Sequence, residues 1–222
     1  MENYEAIMKL LVEALQSGQP EGILNAVKET LDDPNAIPVG VSNRHLHLSQ
    51  EDQNALFGTG YEMKRMKDLS QPGQFACNET VTICGPKGAI EKVRILGPVR
   101  GKTQVEILEG DCFKLGVKAQ PKLSGDLAGT PGITIIGPKG SVQLKEGLII
   151  AQRHIHMTME DAQRLGVHDG QIVAIDVPGE KGGTFKNVAV RATAASALEC
   201  HIDTEEANAM SVNSSTKIKI IK

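Results

Sequence analysis

Two pairs of histidines at identical spacing, His45-x-His47 and His154-x-His156, are the residues of this chain best suited to chemistry. On an extended strand, residues i and i+2 project from one face about 6.6 Å apart, so both imidazoles of a pair can address one ion while the residue between them faces the core. A lone pair of this kind is weak evidence, because two packed or hydrogen-bonded histidines fit the same pattern. Here the flanks repeat as well: Arg44-His45-Leu46-His47-Leu48-Ser49-Gln50-Glu51-Asp52 matches Arg153-His154-Ile155-His156-Met157-Thr158-Met159-Glu160-Asp161 at an offset of 109 residues. A second echo joins Val105-Glu106-Ile107 to Cys200-His201-Ile202, each with an acid five positions beyond its central residue, Asp111 and Glu206. The repeat therefore offers a third group to each pair, Glu106 to His45 and His47, and His201 to His154 and His156. Three nitrogen and oxygen ligands leave a coordination position open, as in a reactive zinc centre and unlike a closed, cysteine-rich structural one.

Other residues carry both a chemical and a plainer reading. Arg100, six residues before Glu106, is either a guanidinium fork that clamps a phosphate or carboxylate beside the metal or a solvated surface arginine. Residues 85–122 hold eight basic and four acidic residues, which suits a polyanionic ligand but is also common on solvated faces. Ser124, in the polar loop Ser124-Gly125-Asp126, is an active-site candidate or a loop residue. The two Gly-Pro-Lys-Gly runs at 85–88 and 137–140 lack the spacing of a phosphate-binding P-loop and read as tight turns. His168, inside Gly166-Val167-His168-Asp169-Gly170, reads as a surface-loop residue. Cys200 would project to the strand face opposite His201, and no nucleophile motif is present.

The elements that must hold these residues are mostly strands. After Pro34, β-type runs at 38–42, 80–84, 93–96, 103–108, 133–136, 148–151, 172–177, 187–191 and 217–221 alternate with turn residues among 23 Gly and 10 Pro. Many short strands with few long helical patterns predict barrels or sandwiches, not a doubly wound sheet. Short helices are expected after each histidine pair, at 49–56 and 158–165, where Ser or Thr precedes acidic residues. Residues 1–33 differ: apolar residues recur there at helical spacing on both sides of Gly18-Gln19-Pro20, and seven acids stand against two lysines. This acidic helical extension is either a cap on the body or a docking peptide.

Composition bounds the rest. A chain of 222 residues with 40% hydrophobic residues and a net charge of -3 belongs with ordinary globular proteins, and neither its charge nor its 3% aromatic content suits a nucleic-acid binder. The four cysteines form no C-x-x-C pair, and no signal-like segment or apolar run of membrane-spanning length is present, so a cytoplasmic protein with reduced thiols and no membrane partner is expected.

The chain resembles the PduL-type phosphotransacylase (phosphate propanoyltransferase) family from about Ile37 to its end. The likeness is carried by the run Val39 to Ser49, Gln71-Pro72-Gly73-Gln74, Thr80-Val81-Thr82, Arg100, Gln104-Val105-Glu106-Ile107, Ser124-Gly125, Gly129-Thr130-Pro131-Gly132-Ile133, Ala151 to Met157, and His201 to Asn208. The resemblance implies a mainly β fold of two β-barrel domains with short capping helices and an N-terminal α-helical extension. It divides the chain into 1–34, the extension; 35–46 with 152–222, a first barrel; and 47–151, a second. It implies two zinc ions per chain, one on His45, His47 and Glu106, the other on His154, His156 and His201, with Arg100 and Ser124 as phosphate contacts. The implied reaction interconverts a short-chain acyl-CoA plus phosphate with acyl phosphate plus coenzyme A. A homodimer is implied too, cytoplasmic or inside a bacterial microcompartment, where residues 1–33 would meet shell or enzyme partners. The residues alone leave two alternatives open: a two-zinc hydrolase of a phosphoester or amide, and a non-catalytic metal-binding scaffold.

Overall fold

The computed structural model describes residues 33–221 together with Val12, so the helical extension expected over residues 1–34 lies almost wholly outside the described residues. The remainder is mainly β. In chain order come β1 (Ile37–Ser42), β2 (His45–Ser49), α1 (Gln50–Phe57), β3 (Arg65–Asp68), β4 (Phe75–Cys84), β5 (Ala89–Arg100), β6 (Gln104–Ile107), α2 (Glu109–Leu115), β7 (Pro121–Lys122), β8 (Thr134–Ile136), β9 (Ser141–Gln143) and β10 (Leu148–Ala151). They are followed by β11 (His154–Met157), α3 (Met159–Leu165), β12 (Ile172–Val177), β13 (Gly183–Ala192), β14 (Glu199–Asp203), α4 (Thr204–Ala209) and β15 (Lys217–Ile221). None of the helices among the described residues is long and apolar enough to cross a membrane.

The strands form two sheets within the unit Ile37–Lys222. One closes as a barrel in the order β1-β14-β11-β13-β12-β15. The other has nine strands and contains the run β10-β6-β2-β5-β4-β8. Along both runs the pairings follow the same sequence, parallel, antiparallel, parallel, antiparallel, antiparallel. The sequence repeat is thus a repeat of architecture. The two halves differ at their edges: β1 meets β15 and closes the barrel, whereas β10 is bordered by β7 and β8 by β9.

The halves also exchange a strand. β1 stands just before β2 in sequence, as β10 stands just before β11, yet β1 pairs in the barrel and β10 in the nine-stranded sheet. The chain therefore passes from one sheet to the other at residues 43–44 and back at 152–153. The boundary expected between residues 46 and 47 falls inside β2, whose His45, Leu46 and His47 all pair with β6, so hydrogen bonding assigns the whole strand to the nine-stranded sheet.

Alternation along the strands separates core from site. Leu46, Leu48, Val105 and Ile107 pack in one hydrophobic core, and Ile155, Met157, Cys200 and Ile202 in the other. Burial pushes the Cys200 thiol up to about 12, which suits a core residue and not a nucleophile. The helices expected after each histidine pair are present as α1 and α3, with Ser49 Oγ accepting from Asp52 N at 3.1 Å and Thr158 Oγ from Asp161 N at 3.0 Å. Gly116 and Gly166 end α2 and α3 in the left-handed region, at φ 73° and 65°, where a glycine costs least.

The Gly-Pro-Lys-Gly runs are tight turns, and they have a second task. Each closes a hairpin, through Gly85 N to Gly88 O and Gly137 N to Gly140 O, both at 2.9 Å. Each then donates a backbone N–H to a helix end, Lys87 to Leu115 O at 3.1 Å and Lys139 to Leu56 O at 3.0 Å. The turns thereby satisfy carbonyls that α2 and α1 would leave unpaired.

Two duplicated ion pairs brace the histidine strands. Arg44 Nε meets Asp111 Oδ2, and Arg153 Nε meets Glu206 Oε1, each at 2.8 Å. Asp111 and Glu206 also accept the backbone N–H three residues earlier, of Leu108 and Asp203, at 3.1 and 3.0 Å, and so cap α2 and α4. The Arg44 side chain is a third exposed, so the pair contributes about 1 kcal/mol at most and chiefly fixes the strand's direction against the helix.

Candidate active site

The duplicated pairings bring the six candidate ligands together in two sets of three. His45 lies opposite Glu106 in the β2–β6 ladder, and His154 lies opposite His201 in the β11–β14 ladder. His47 and His156, two residues on, complete the sets, and within each the potential ligating atoms all lie within 4.8 Å of one another.

Backbone carbonyls select the histidine tautomers. His45 Nδ1 sits 2.7 Å from the Asn43 carbonyl and His154 Nδ1 sits 2.8 Å from the Gln152 carbonyl. Since a carbonyl only accepts, Nδ1 carries the proton in both rings and Nε2 is left with its lone pair in the neutral form. These carbonyls belong to the two crossover segments, so the path of the chain between the sheets also sets the ring orientation.

Burial sets the charge. It pushes His47 down to about 3, helped by the Arg100 guanidinium and opposed by the Glu106 carboxylate. It likewise lowers His154 to about 4 and His156 to about 3, with the neighbouring histidines and Arg191 acting in the same direction. All three are neutral near pH 7 and hence able to donate a lone pair. Burial also opposes charge on His45 and Glu106, yet their mutual attraction across 3.4 Å prevails, raising His45 and holding Glu106 well below the usual carboxylate range.

The donor sets fit a divalent metal. His154 Nε2 and His156 Nε2 stand 3.1 Å apart, so a proton or a cation must separate their lone pairs. His47 Nδ1 is a buried side-chain nitrogen without a hydrogen-bond partner among the described residues, a costly state unless something else satisfies it. Two histidines with a glutamate, and three histidines, match ligand sets in which zinc keeps an open position.

Around the glutamate-containing set lies a polar cluster. Arg100, at the end of β5, donates from Nη1 to Ser124 Oγ at 2.8 Å. Gln104, almost fully buried, donates from Nε2 to Ser124 Oγ at 2.8 Å and to Glu106 Oε1 at 2.6 Å, while its Oε1 accepts from Gly125 N at 2.8 Å. The Ser124 oxygen thus accepts from two donors, which leaves its own hydrogen free to point at an anion. Arg191 approaches from the barrel, opposite His156 in the β11–β13 ladder. Together with burial, its charge lowers the Arg100 pKa against the pull of Glu106.

Both histidine sets, Arg100, Ser124 and Arg191 line one cavity of about 550 Å³ between the two sheets. His168 stands apart, exposed in the turn before β12 with Nδ1 on the Asp169 carbonyl at 3.0 Å. Two cavity residues, Glu199 and Arg191, together with the buried Gln104 that bonds Glu106, are not among the expected site residues. Gln104 and Glu199 precede the third member of each set by two positions, so strand periodicity carries a usable signal for both. Arg191 carries none, since its counterpart opposite His47 on β5 is Leu96.

Comparison with known proteins adds an independent finding. A family model described as phosphate propanoyltransferase matches residues 38–213. A phosphate propanoyltransferase of Thermotoga maritima is 52% identical over 206 residues, covering 91% of this chain and 98% of that protein. One of Rhodobacter capsulatus is 52% identical over 196 residues, with 88% and 91% covered. Another, of Salmonella typhimurium, is 46% identical over 192 residues, with 85% and 91% covered.

Proposed function

The chain belongs to the phosphate propanoyltransferase family of acyltransferases, and on that premise we propose that it transfers a short acyl group between coenzyme A and inorganic phosphate at a two-zinc site. The observation that carries this reading is the opening of both duplicated donor sets, with Arg100 and Ser124 beside them, on one cavity.

The residues divide the work. His45, His47 and Glu106 would hold one zinc ion, and His154, His156 and His201 the other. Bound there, zinc supplies Lewis acidity toward phosphate and carbonyl oxygens and a well-matched partner for a thiolate sulfur. Arg100 grips phosphate through its fork, Ser124 donates its free hydroxyl hydrogen, and Arg191 adds a second positive charge from the barrel. Held in this way, a phosphate oxygen forms the new bond to the thioester carbonyl carbon. The C–S bond then breaks, and coenzyme A leaves as its thiolate. The reverse direction uses the same groups.

The family resemblance further supports a homodimer in the cytoplasm or a microcompartment, with residues 1–33 as the segment that meets a partner there.

Metal analysis tests the reading directly. Purified protein is expected to carry two zinc ions per chain, and stripping them with a chelator should abolish propanoyl-CoA phosphorolysis until zinc is returned. Full turnover by metal-free protein would overturn it.

A further inference from the structure

Glu199 lies two residues before His201 on β14 and opposite His156 in the β11–β14 ladder. Its Oε2 accepts hydrogen bonds from His201 Nε2, at 2.5 Å, and from the Ser70 hydroxyl. Ser70 belongs to the loop between β3 and β4 of the opposite sheet. The next residue, Gln71, is buried and grips the backbone of Ala197 with both ends of its amide, Nε2 donating to the carbonyl at 3.0 Å and Oε1 accepting from the N–H at 3.2 Å. One carboxylate therefore touches both a member of the three-histidine set and a loop from the other sheet.

The place for that carboxylate is kept clear by glycine: a Cβ on Gly40 would stand 2.7 Å from the Glu199 carboxylate carbon. In the other half the equivalent slot, two residues before Glu106 and opposite His47, holds Gln104. Gln104 also bonds the third member of its set and fastens a loop, at Ser124 and Gly125. The two halves mirror each other in charge as well. An amide supports the carboxylate of Glu106 in one, and a carboxylate supports the imidazole of His201 in the other.

Building on the two-zinc reading above, we infer that Glu199 is a positioning residue that orients His201 for the metal and, through Ser70, latches the 69–74 loop to the barrel. A carboxylate on one nitrogen of a metal-binding imidazole fixes its tautomer and ring orientation, and loss of such a partner lowers metal affinity by about 10- to 100-fold.

Chelator competition on the zinc-loaded full-length protein, combined with hydrogen exchange at residues 69–74 and at the Ala197 amide, tests this. In Glu199→Gln, one of the two zinc ions should be released about 10- to 100-fold more readily and the other as in wild type, with faster exchange in the loop. Gly40→Ala should act in the same direction, because the added methyl group displaces the carboxylate. Ser70→Ala should speed exchange in the loop while both ions are retained as in wild type.

Unchanged release of both ions from Glu199→Gln, or equal weakening of both with a lowered Tm, would overturn the positioning role. If wild-type protein binds no zinc, the two-zinc reading fails on its own. The latch is then judged in metal-free protein, where unchanged exchange in Glu199→Gln would overturn it separately.

Discussion

His154→Ala is expected to lower phosphorolysis of propanoyl-CoA by about a thousandfold and to leave the protein with one bound zinc ion in place of two. His154 is the buried member of its set, opposite His201 and 3.1 Å from His156, with its ring aimed by the Gln152 carbonyl. Alanine leaves two imidazoles, which is one ligand short of the three that hold a catalytic zinc. Metal-ion catalysis contributes several kcal/mol, and each 1.36 kcal/mol is tenfold in rate, so a loss of about three decades follows. The fold should survive, because the substitution removes a polar group that faces the cavity and spares the core formed by Ile155 and Met157. Elemental analysis and a thioester absorbance assay on the same preparation check both parts. Wild-type phosphorolysis by His154→Ala in zinc-replete buffer would contradict the mechanism.

The second large effect concerns phosphate. Arg100→Met should reduce kcat/KM for phosphate by about 100-fold, with a much smaller change in KM for the acyl-CoA. The guanidinium reaches the cavity from the end of β5 and is bonded to Ser124, whose oxygen keeps its second donor, Gln104, when the arginine is lost. The serine therefore stays in place, and the change reports on the missing charge and fork. Arg100→Lys should recover only part of the loss, because an ammonium restores the charge and not the paired donors. Steady-state kinetics with each substrate varied in turn separates these outcomes. Equal effects on both substrates would point to a general disturbance of the cavity.

The grouping of the six side chains into two sets was legible because the repeat places like residues on like strands. The spacing of His45 to His47 and of His154 to His156, with the echo of Glu106 in His201, suffices to assemble both sets, since strand geometry fixes which side chains share a face. Most strands could be located for the same reason.

What escaped was non-local or short. The exchange of β1 and β10 between the sheets is implied by the resemblance, which joins 35–46 to 152–222, and not by the residues of these strands, because their parallel partners, β14 and β6, are chosen by tertiary packing. The mainly β fold is as expected; of its two sheets only one closes, since β10 and β8 at the edges of the other pair with the additional strands β7 and β9. The helices α2 and α4, of seven and six residues, are too short to show a helical period. Their capping acids, Asp111 and Glu206, are visible as the echo's final element. Arg191 enters the cavity from a strand position that the other half fills with Leu96, so repetition could not disclose it.

The fate of the thioester with and without phosphate tests acyl transfer most directly. Zinc-loaded protein given propanoyl-CoA should release no free thiol in phosphate-free buffer. On addition of phosphate it should form one acyl phosphate for each coenzyme A released, and added acyl phosphate with coenzyme A should regenerate the thioester. Thiol release without phosphate, yielding the free carboxylic acid, would contradict acyl transfer to phosphate and identify the two donor sets with hydrolysis.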